Sequence, residues 1–262
     1  MAKIKITHCV RGACLAVCLF PGLLLSSSCD SHRRGESAGS SIATDTPAKK
    51  TPDIITEVTT AEFQDSITPL EVLGKFKAGN RRFLEGRMLH RNYLSQVDLS
   101  SKGQHPYAVI VSCIDSRKPA EIVFDKGIGD MFNARIAGNF VNTDILGSLE
   151  FACKVSGAKL ILVMGHSDCG AIKSACDRVK LGNITAMLAN ITPAVDAVKG
   201  FPGNRSSKNQ EFVAAVAKQN VLIAIAKILK ESVIIREMVS KGQVMIAGCM
   251  YDLRNGSVDF YP

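Results

Sequence analysis

The sequence predicts a single α/β domain: a mainly parallel sheet flanked by helices. Three observations predict it. Four short apolar runs rich in β-branched residues, at 107–112, 131–136, 159–165 and 244–250, have strand length. The stretches between them carry helical patterns, and strands that alternate with helices form parallel sheets. The 262 residues are 46% hydrophobic and 21% charged, which suits one sizeable core.

The chain opens with a basic start (Lys3, Lys5, Arg11), an apolar run from Ala13 to Leu25, and Ser26-Ser27-Ser28 before Cys29. This is the layout of a bacterial export signal, with an apolar run too short for an ordinary membrane span. The Ser-Ser-Ser-Cys end resembles a lipoprotein processing box, although such boxes usually carry Leu where this chain has Ser26. The expectation is a periplasmic protein or a membrane-anchored lipoprotein, lipidated at Cys29. Residues 29–66 read as a polar tether rich in Ser, Thr, Asp and Lys, with too few large apolar residues to offset the entropy of ordering. The folded domain is expected at 67–262.

Thr68-Pro69 starts a helix with Pro in its first turn. Leu70, Leu73, Phe76, Phe83 and Leu84 give it an apolar face, with an interruration expected at Gly79-Asn80. The run Tyr107–Ser112 is a fully buried strand ending at Cys113. Ala120–Phe124 reads as a short helix, 125–130 as a glycine-rich turn, and 131–136 as the second strand. A helix over 144–156 presents Ile145, Leu149 and Ala152. The third strand, 159–165, leads into a helix over 170–178. A long helix covers 210–239, with Val213, Val216, Val221, Ile225, Ile228 and Leu229 on its buried side. The last strand, 244–250, then turns through Asn255-Gly256 into an edge segment.

The net charge of +8 includes three charges in the leader. The remaining basic residues are scattered and rarely beside aromatics, which argues against a nucleic-acid face. Of the nine cysteines, Cys153, Cys176 and Cys249 have no disulfide spacing and read as buried free thiols.

The chemistry sits in two motifs, Cys113-Ile114-Asp115-Ser116-Arg117 and His166-Ser167-Asp168-Cys169, each following a strand. Ligands in parallel sheets gather at the carboxyl ends of strands, where both motifs stand. Two thiolates and one imidazole make three zinc ligands, and no fourth Cys or His stands nearby. Three protein ligands with an open position are the catalytic zinc pattern, which activates water. Along an extended stretch Cys113, Asp115 and Arg117 would share one side. Asp115 can orient a water by accepting its hydrogen bond, or ligate the metal and block it. Arg117 can clamp it off the metal through two hydrogen bonds. Two thiolates nearly neutralise the ion, so activity should rise on the alkaline side.

Cys-x-Asp-x-Arg followed by His-x-x-Cys resembles the signature of the β-class carbonic anhydrases. So do Ser116–Glu121, Gly129–Phe132, Arg135–Asn139, Gly165–Gly170 and Tyr251–Leu253, so the resemblance spans 67–260. It implies a four-stranded, mainly parallel sheet with helices around it, assembled as homodimers or multiples of dimers. It implies carbonate dehydratase activity: zinc hydroxide attacks carbon dioxide, giving bicarbonate and a proton. Cys113, His166 and Cys169 would bind one Zn²⁺ per subunit. Asp115 and Arg117 would form the catalytic dyad, with Asp115 a fourth metal ligand in an inactive form. Where many relatives carry Gln within 124–130, this chain has Lys126, expected to point to solvent.

Overall fold

The structure is a computed structural model that describes residues 53–261. The expected leader, Cys29 and the tether up to residue 52 lie outside the described residues. The elements begin with α1 (Ala61–Ser66), α2 (Pro69–Leu84), α3 (Tyr93–Ser100), β1 (Ala108–Ser112), α4 (Ala120–Val123) and β2 (Met131–Arg135). Next come α5 (Thr143–Glu150), a π-helical turn (Phe151–Val155), β3 (Leu160–His166), α6 (Gly170–Cys176), α7 (Gly182–Ala189) and α8 (Thr192–Ala197). The chain ends with α9 (Gln210–Glu231), α10 (Val233–Ser240), β4 (Met245–Tyr251) and β5 (Val258–Tyr261).

The sheet order is β2-β1-β3-β4-β5. The first four strands are parallel and β5 pairs antiparallel with β4. The expected parallel set is present, and the edge segment after Asn255-Gly256 forms a fifth strand. Every residue of β1 and β3 is buried, because helices cover both faces of the sheet's centre. Alternation sorts their side chains into two layers. Ala108, Ile110, Leu160 and Leu162 meet Val72, Phe76 and Phe124 on one face. Val109, Val111, Ile161 and Val163 meet Leu149, Val221, Ile228 and Ile235 on the other. A third cluster, with Ile172, Ile191, Phe212 and Val216, holds Cys113 and Cys169.

Four expectations need correction. The fold reaches further back than Ile67. Ile55 bridges to Arg91, and the Thr59 hydroxyl donates to Asp130 at 2.9 Å. Buried Gln64 donates to the carbonyls of Pro106 and Ser156, both at 2.7 Å. Part of the expected tether is therefore held by hydrogen bonds to distant backbone and to the Asp130 carboxylate, which need no apolar side chains.

Helix α2 is also uninterrupted at Gly79-Asn80. Thr68 and Glu71 form a reciprocal capping box at its start. A Cβ at Gly79 would lie 1.8 Å from the Phe124 carbonyl oxygen, so glycine is there for close packing. Asn80 is buried; its amide donates to the carbonyls of Val123 and Gly256 at 3.2 and 3.0 Å. Its oxygen accepts from the Val258 N–H at 3.1 Å.

The long helix expected over 210–239 breaks at Ser232, whose backbone is extended. Its N–H donates to Ile228 O and its hydroxyl caps α10 by accepting from Ile235 N.

Lys126, finally, is buried instead of solvent-facing. Its ammonium lies 4.6 Å from the Phe76 ring centroid and 5.5 Å from that of Tyr107, and donates to Lys75 O at 3.2 Å. Burial lowers its pKa to about 8. Tyr107 precedes β1 at its amino end, so Lys126 sits at the opposite end of the sheet from the motifs.

Candidate metal centre and active site

Strands β1 and β3 are neighbours with Ser112 opposite Met164, so their carboxyl ends open side by side. Cys113 follows the last residue of β1, and His166 is the last residue of β3. Cys169 is the residue before α6, three beyond His166 across a tight turn. The turn closes because Asp168 takes the left-handed backbone region, with φ of 55°.

The two sulfurs and one imidazole nitrogen all lie within 4.8 Å of one another, and all three residues are buried. The Sγ atoms are 3.9 Å apart. A tetrahedral zinc with Zn–S bonds of about 2.3 Å would place two sulfurs about 3.8 Å apart. His166 Nδ1 lies 2.9 Å from the Ser167 carbonyl oxygen, to which it can only donate, so Nε2 carries the lone pair. Nε2 is buried with no hydrogen-bond partner. An unpaired buried nitrogen aimed at two thiols is what a metal ligand needs and what a purely structural histidine avoids. The donor set fits zinc.

Around the ligands the backbone is pinned. The Gly138 N–H donates to Cys113 Sγ at 3.3 Å. Gly138 has φ of 81°, and a Cβ there would strike Ile191 at 2.4 Å. Buried Asn220 holds the same glycine by donating to its carbonyl at 2.8 Å. From the end of β2, Arg135 donates to the carbonyls of Cys113 (3.1 Å) and Asp115 (2.6 Å), fixing the loop between them. The hydrogen bond from Cys169 lowers the Cys113 pKa, aided by the Gly138 N–H and opposed by burial. That of Cys169 is raised, by its bond to Cys113 and by burial. The two shifts run in opposite directions because the thiols share one hydrogen bond, which favours a single negative charge on the pair. A divalent cation between them would strip the second proton.

Asp115 is not among the three clustered ligands. Residues 113–117 do not run as an extended stretch, since a turn at Ser116-Arg117 folds the arginine back. Asp115 Oδ1 accepts from Arg117 N and Nε, both at 3.0 Å, and Oδ2 accepts from Nη2 at 2.7 Å. The expected bidentate clamp is present. Asp115 Oδ2 remains 4.0 Å from His166 Nε2, so the held carboxylate still faces the cluster. The Arg117 guanidinium keeps the Asp115 pKa well below the usual carboxylate range.

Outside the ligands lies a cleft of about 530 Å³, whose walls include Arg117, Ser167, Asp168, Lys173, Leu253 and Arg254. Sequence reasoning gave Arg135 no role beyond its place in the stretch Arg135–Asn139, and it did not single out Asn220 or the contacts of Ser167 with the end of β4. Arg135 had a weak signal, as a cation ending a strand that neighbours the first motif. Asn220 had only its place within an apolar helical stripe.

The carbonic anhydrase family model matches residues 108–258. Carbonic anhydrase 2 of Mycobacterium tuberculosis is 35% identical over 198 residues, spanning 72% of this chain and 90% of that protein. Among solved structures, the β-carbonic anhydrase CcaA aligns with a TM-score of 0.58 at 24% identity, covering 74% of this chain and 93% of the other. One of two tetrameric β-carbonic anhydrases from Sordaria macrospora aligns with a TM-score of 0.54 at 24% identity, covering 73% and 93%. With overall fold, ligand geometry and relatives in agreement, this chain belongs to the β-class carbonic anhydrases, zinc-dependent lyases that interconvert carbon dioxide with bicarbonate and a proton.

Proposed function

We propose that Cys113, His166 and Cys169 hold the zinc of this carbonate dehydratase, and that Asp115 and Arg117 orient the attacking water. Zinc, when bound, supplies the Lewis acidity that makes water a nucleophile near neutral pH. The chain's own residues do the rest. His166 offers Nε2 because the Ser167 carbonyl takes its other proton. Asp115, held by three hydrogen bonds from Arg117, stays ionised and accepts from the water without reaching the metal. Fixing the acceptor beforehand places a nucleophilic lone pair toward the carbon. Bicarbonate leaves as an anion through a cleft whose walls carry Arg117, Lys173 and Arg254.

The observation that carries this reading is the pairing of three converging ligand atoms with a carboxylate clamped 4.0 Å from His166 Nε2. Stopped-flow carbon dioxide hydration with zinc analysis on the same sample tests it. The expected result is one zinc per chain and a rate far above background, rising toward alkaline pH. Full metal loading with only the uncatalysed rate would sink it.

The assembly we propose is a homodimer or a multiple of dimers, in keeping with the tetrameric Sordaria macrospora proteins. A monomer at micromolar concentration in sedimentation experiments would refute that. Export, with lipid attachment at Cys29 and so a periplasmic or membrane-anchored location, rests on the leader's basic start, apolar run and small residues. Mass spectrometry of the mature N-terminus decides it: a diacylated Cys29 supports the proposal, and an intact Met1 refutes it.

A further inference from the structure

We propose that Ser167 and Asp252 are positioning residues for His166, acting from the end of β4 through the Ser167 peptide. The inference rests on His166 being a zinc ligand. The imidazole is oriented by an acceptor only one residue along, the Ser167 carbonyl at 2.9 Å. A contact this local forms only if the peptide between Ser167 and Asp168 is turned back toward the ring. Asp168 makes that turn with φ of 55°, an uncommon backbone region for a non-glycine residue that its surroundings help hold.

Those surroundings come from residues 251–257. The Ser167 N–H donates to Tyr251 O at 2.9 Å, extending the β3–β4 ladder by one rung. The Leu253 N–H donates to Ser167 Oγ at 2.9 Å, and that hydroxyl faces Asp252 Oδ1 at 3.4 Å. Asp252 is itself fixed. Its carboxylate accepts from Arg254 N (2.9 Å), Nε (3.1 Å) and Nη2 (2.7 Å), and its N–H donates to Ser257 O at 2.9 Å.

The site is thus gripped by one device used twice. Asp115-Ser116-Arg117 holds a carboxylate facing the ligand cluster, and Asp252-Leu253-Arg254 holds one against the residue after the histidine. In both, the aspartate accepts the backbone N–H and the guanidinium of the arginine two residues on. The second clamp touches no ligand atom. It acts only through Ser167, which is why metal affinity is the property to measure. Groups that orient a ligating histidine typically account for 10- to 100-fold in metal affinity.

The experiment measures zinc dissociation constants of the full chain by competition with a chromophoric chelator, together with the melting temperature of the zinc-free protein. Ser167→Ala and Asp252→Ala should each weaken zinc binding about 10-fold or more while the zinc-free melting temperature stays near wild type. Ser167→Thr, which restores the hydroxyl, should recover most of the affinity. His166→Ala should lose tight binding altogether. Wild-type affinity in both Ser167→Ala and Asp252→Ala, with His166→Ala defective, would overturn the positioning role and leave the ligand assignment standing. Wild-type affinity in His166→Ala would overturn the ligand assignment and this inference with it. A zinc-free melting temperature that falls in step with affinity assigns the clamp to the fold alone and also overturns the proposal. Should Ser167→Ala fail to fold, Asp252→Ala decides by the same criteria.

Discussion

Replacing Asp115 by Asn separates the orienting role proposed for this carboxylate from metal binding. The substitution keeps the volume and leaves Cys113, His166 and Cys169 untouched, so one zinc per chain is expected. It removes a charge that the site is built to keep: Arg117 holds the Asp115 pKa far below the ordinary range, so the carboxylate is ionised throughout the pH range of assay. The two oxygens accept from three donors on one residue, at 3.0, 3.0 and 2.7 Å. An amide has one oxygen. Its NH2 group would either oppose the guanidinium, donor against donor, or turn toward the ligands and offer the water a donor where an acceptor is needed. A positioned acceptor of this kind typically contributes about 10²–10⁴ in rate. Since the water is also activated by zinc, the lower part of that range applies, a loss of about 10²- to 10³-fold, or about 2.7–4 kcal/mol. Stopped-flow hydration across neutral to alkaline pH, with zinc measured on the same sample, reads this directly. A fully zinc-loaded Asp115→Asn protein with the wild-type rate would remove the dyad from the mechanism.

Other perturbations have equally definite outcomes. Cys169→Ser should lose zinc and activity together, because a neutral hydroxyl is a far poorer ligand than thiolate; elemental analysis showing retained metal would contradict the ligand set. Gly79→Ala should destabilise by at least about 3 kcal/mol in urea unfolding, since the added methyl would lie 1.8 Å from the Phe124 carbonyl oxygen and backbone must shift. Burial lowers the Lys126 pKa from 10.5 to about 8. A lowered cation pKa means the unfolded chain binds more protons between pH 8 and 10.5, so this residue's cost is full below pH 8 and fades as pH rises to 10.5. The full cost is about 3 kcal/mol, reduced by the contacts with Phe76 and Tyr107. Lys126→Met should therefore be more stable than wild type by about 1–2 kcal/mol at pH 7. The advantage should shrink toward pH 10.5, and a gap constant with pH would refute the assignment.

Much of the catalytic half was legible in the chain. Cys113, His166 and Cys169 declared themselves by residue type and by position after apolar runs, and the structure brings their ligand atoms together. The Asp115–Arg117 clamp was legible too, since a two-residue separation lets a guanidinium fold back on a carboxylate. The failures share a cause. Gly79-Asn80 read as a helix break because local propensity disfavours both residues within a helix, whereas packing against Phe124 and the Gly256 turn demands them. Lys126 read as solvent-facing because lysine usually is, and two rings distant in sequence, Phe76 and Tyr107, reversed that. Residues 55–66 read as a tether because their anchors are hydrogen bonds with His90, Asn92, Pro106, Asp130 and Ser156, invisible to composition.

The sequence by itself determined the α/β class, the four parallel strands and the ligand types, because hydrophobic period and side-chain chemistry are properties of short windows. Tertiary structure alone decided which strands adjoin, and so whether two thiols 56 positions apart could approach to 3.9 Å. It also decided that Arg117 clamps Asp115 beside the three-ligand cluster, and that the β4–β5 turn grips the residue beside His166. Distances between residues far apart in the chain depend on how the helices pack across the sheet, and packing is a property of the whole core that no short window contains.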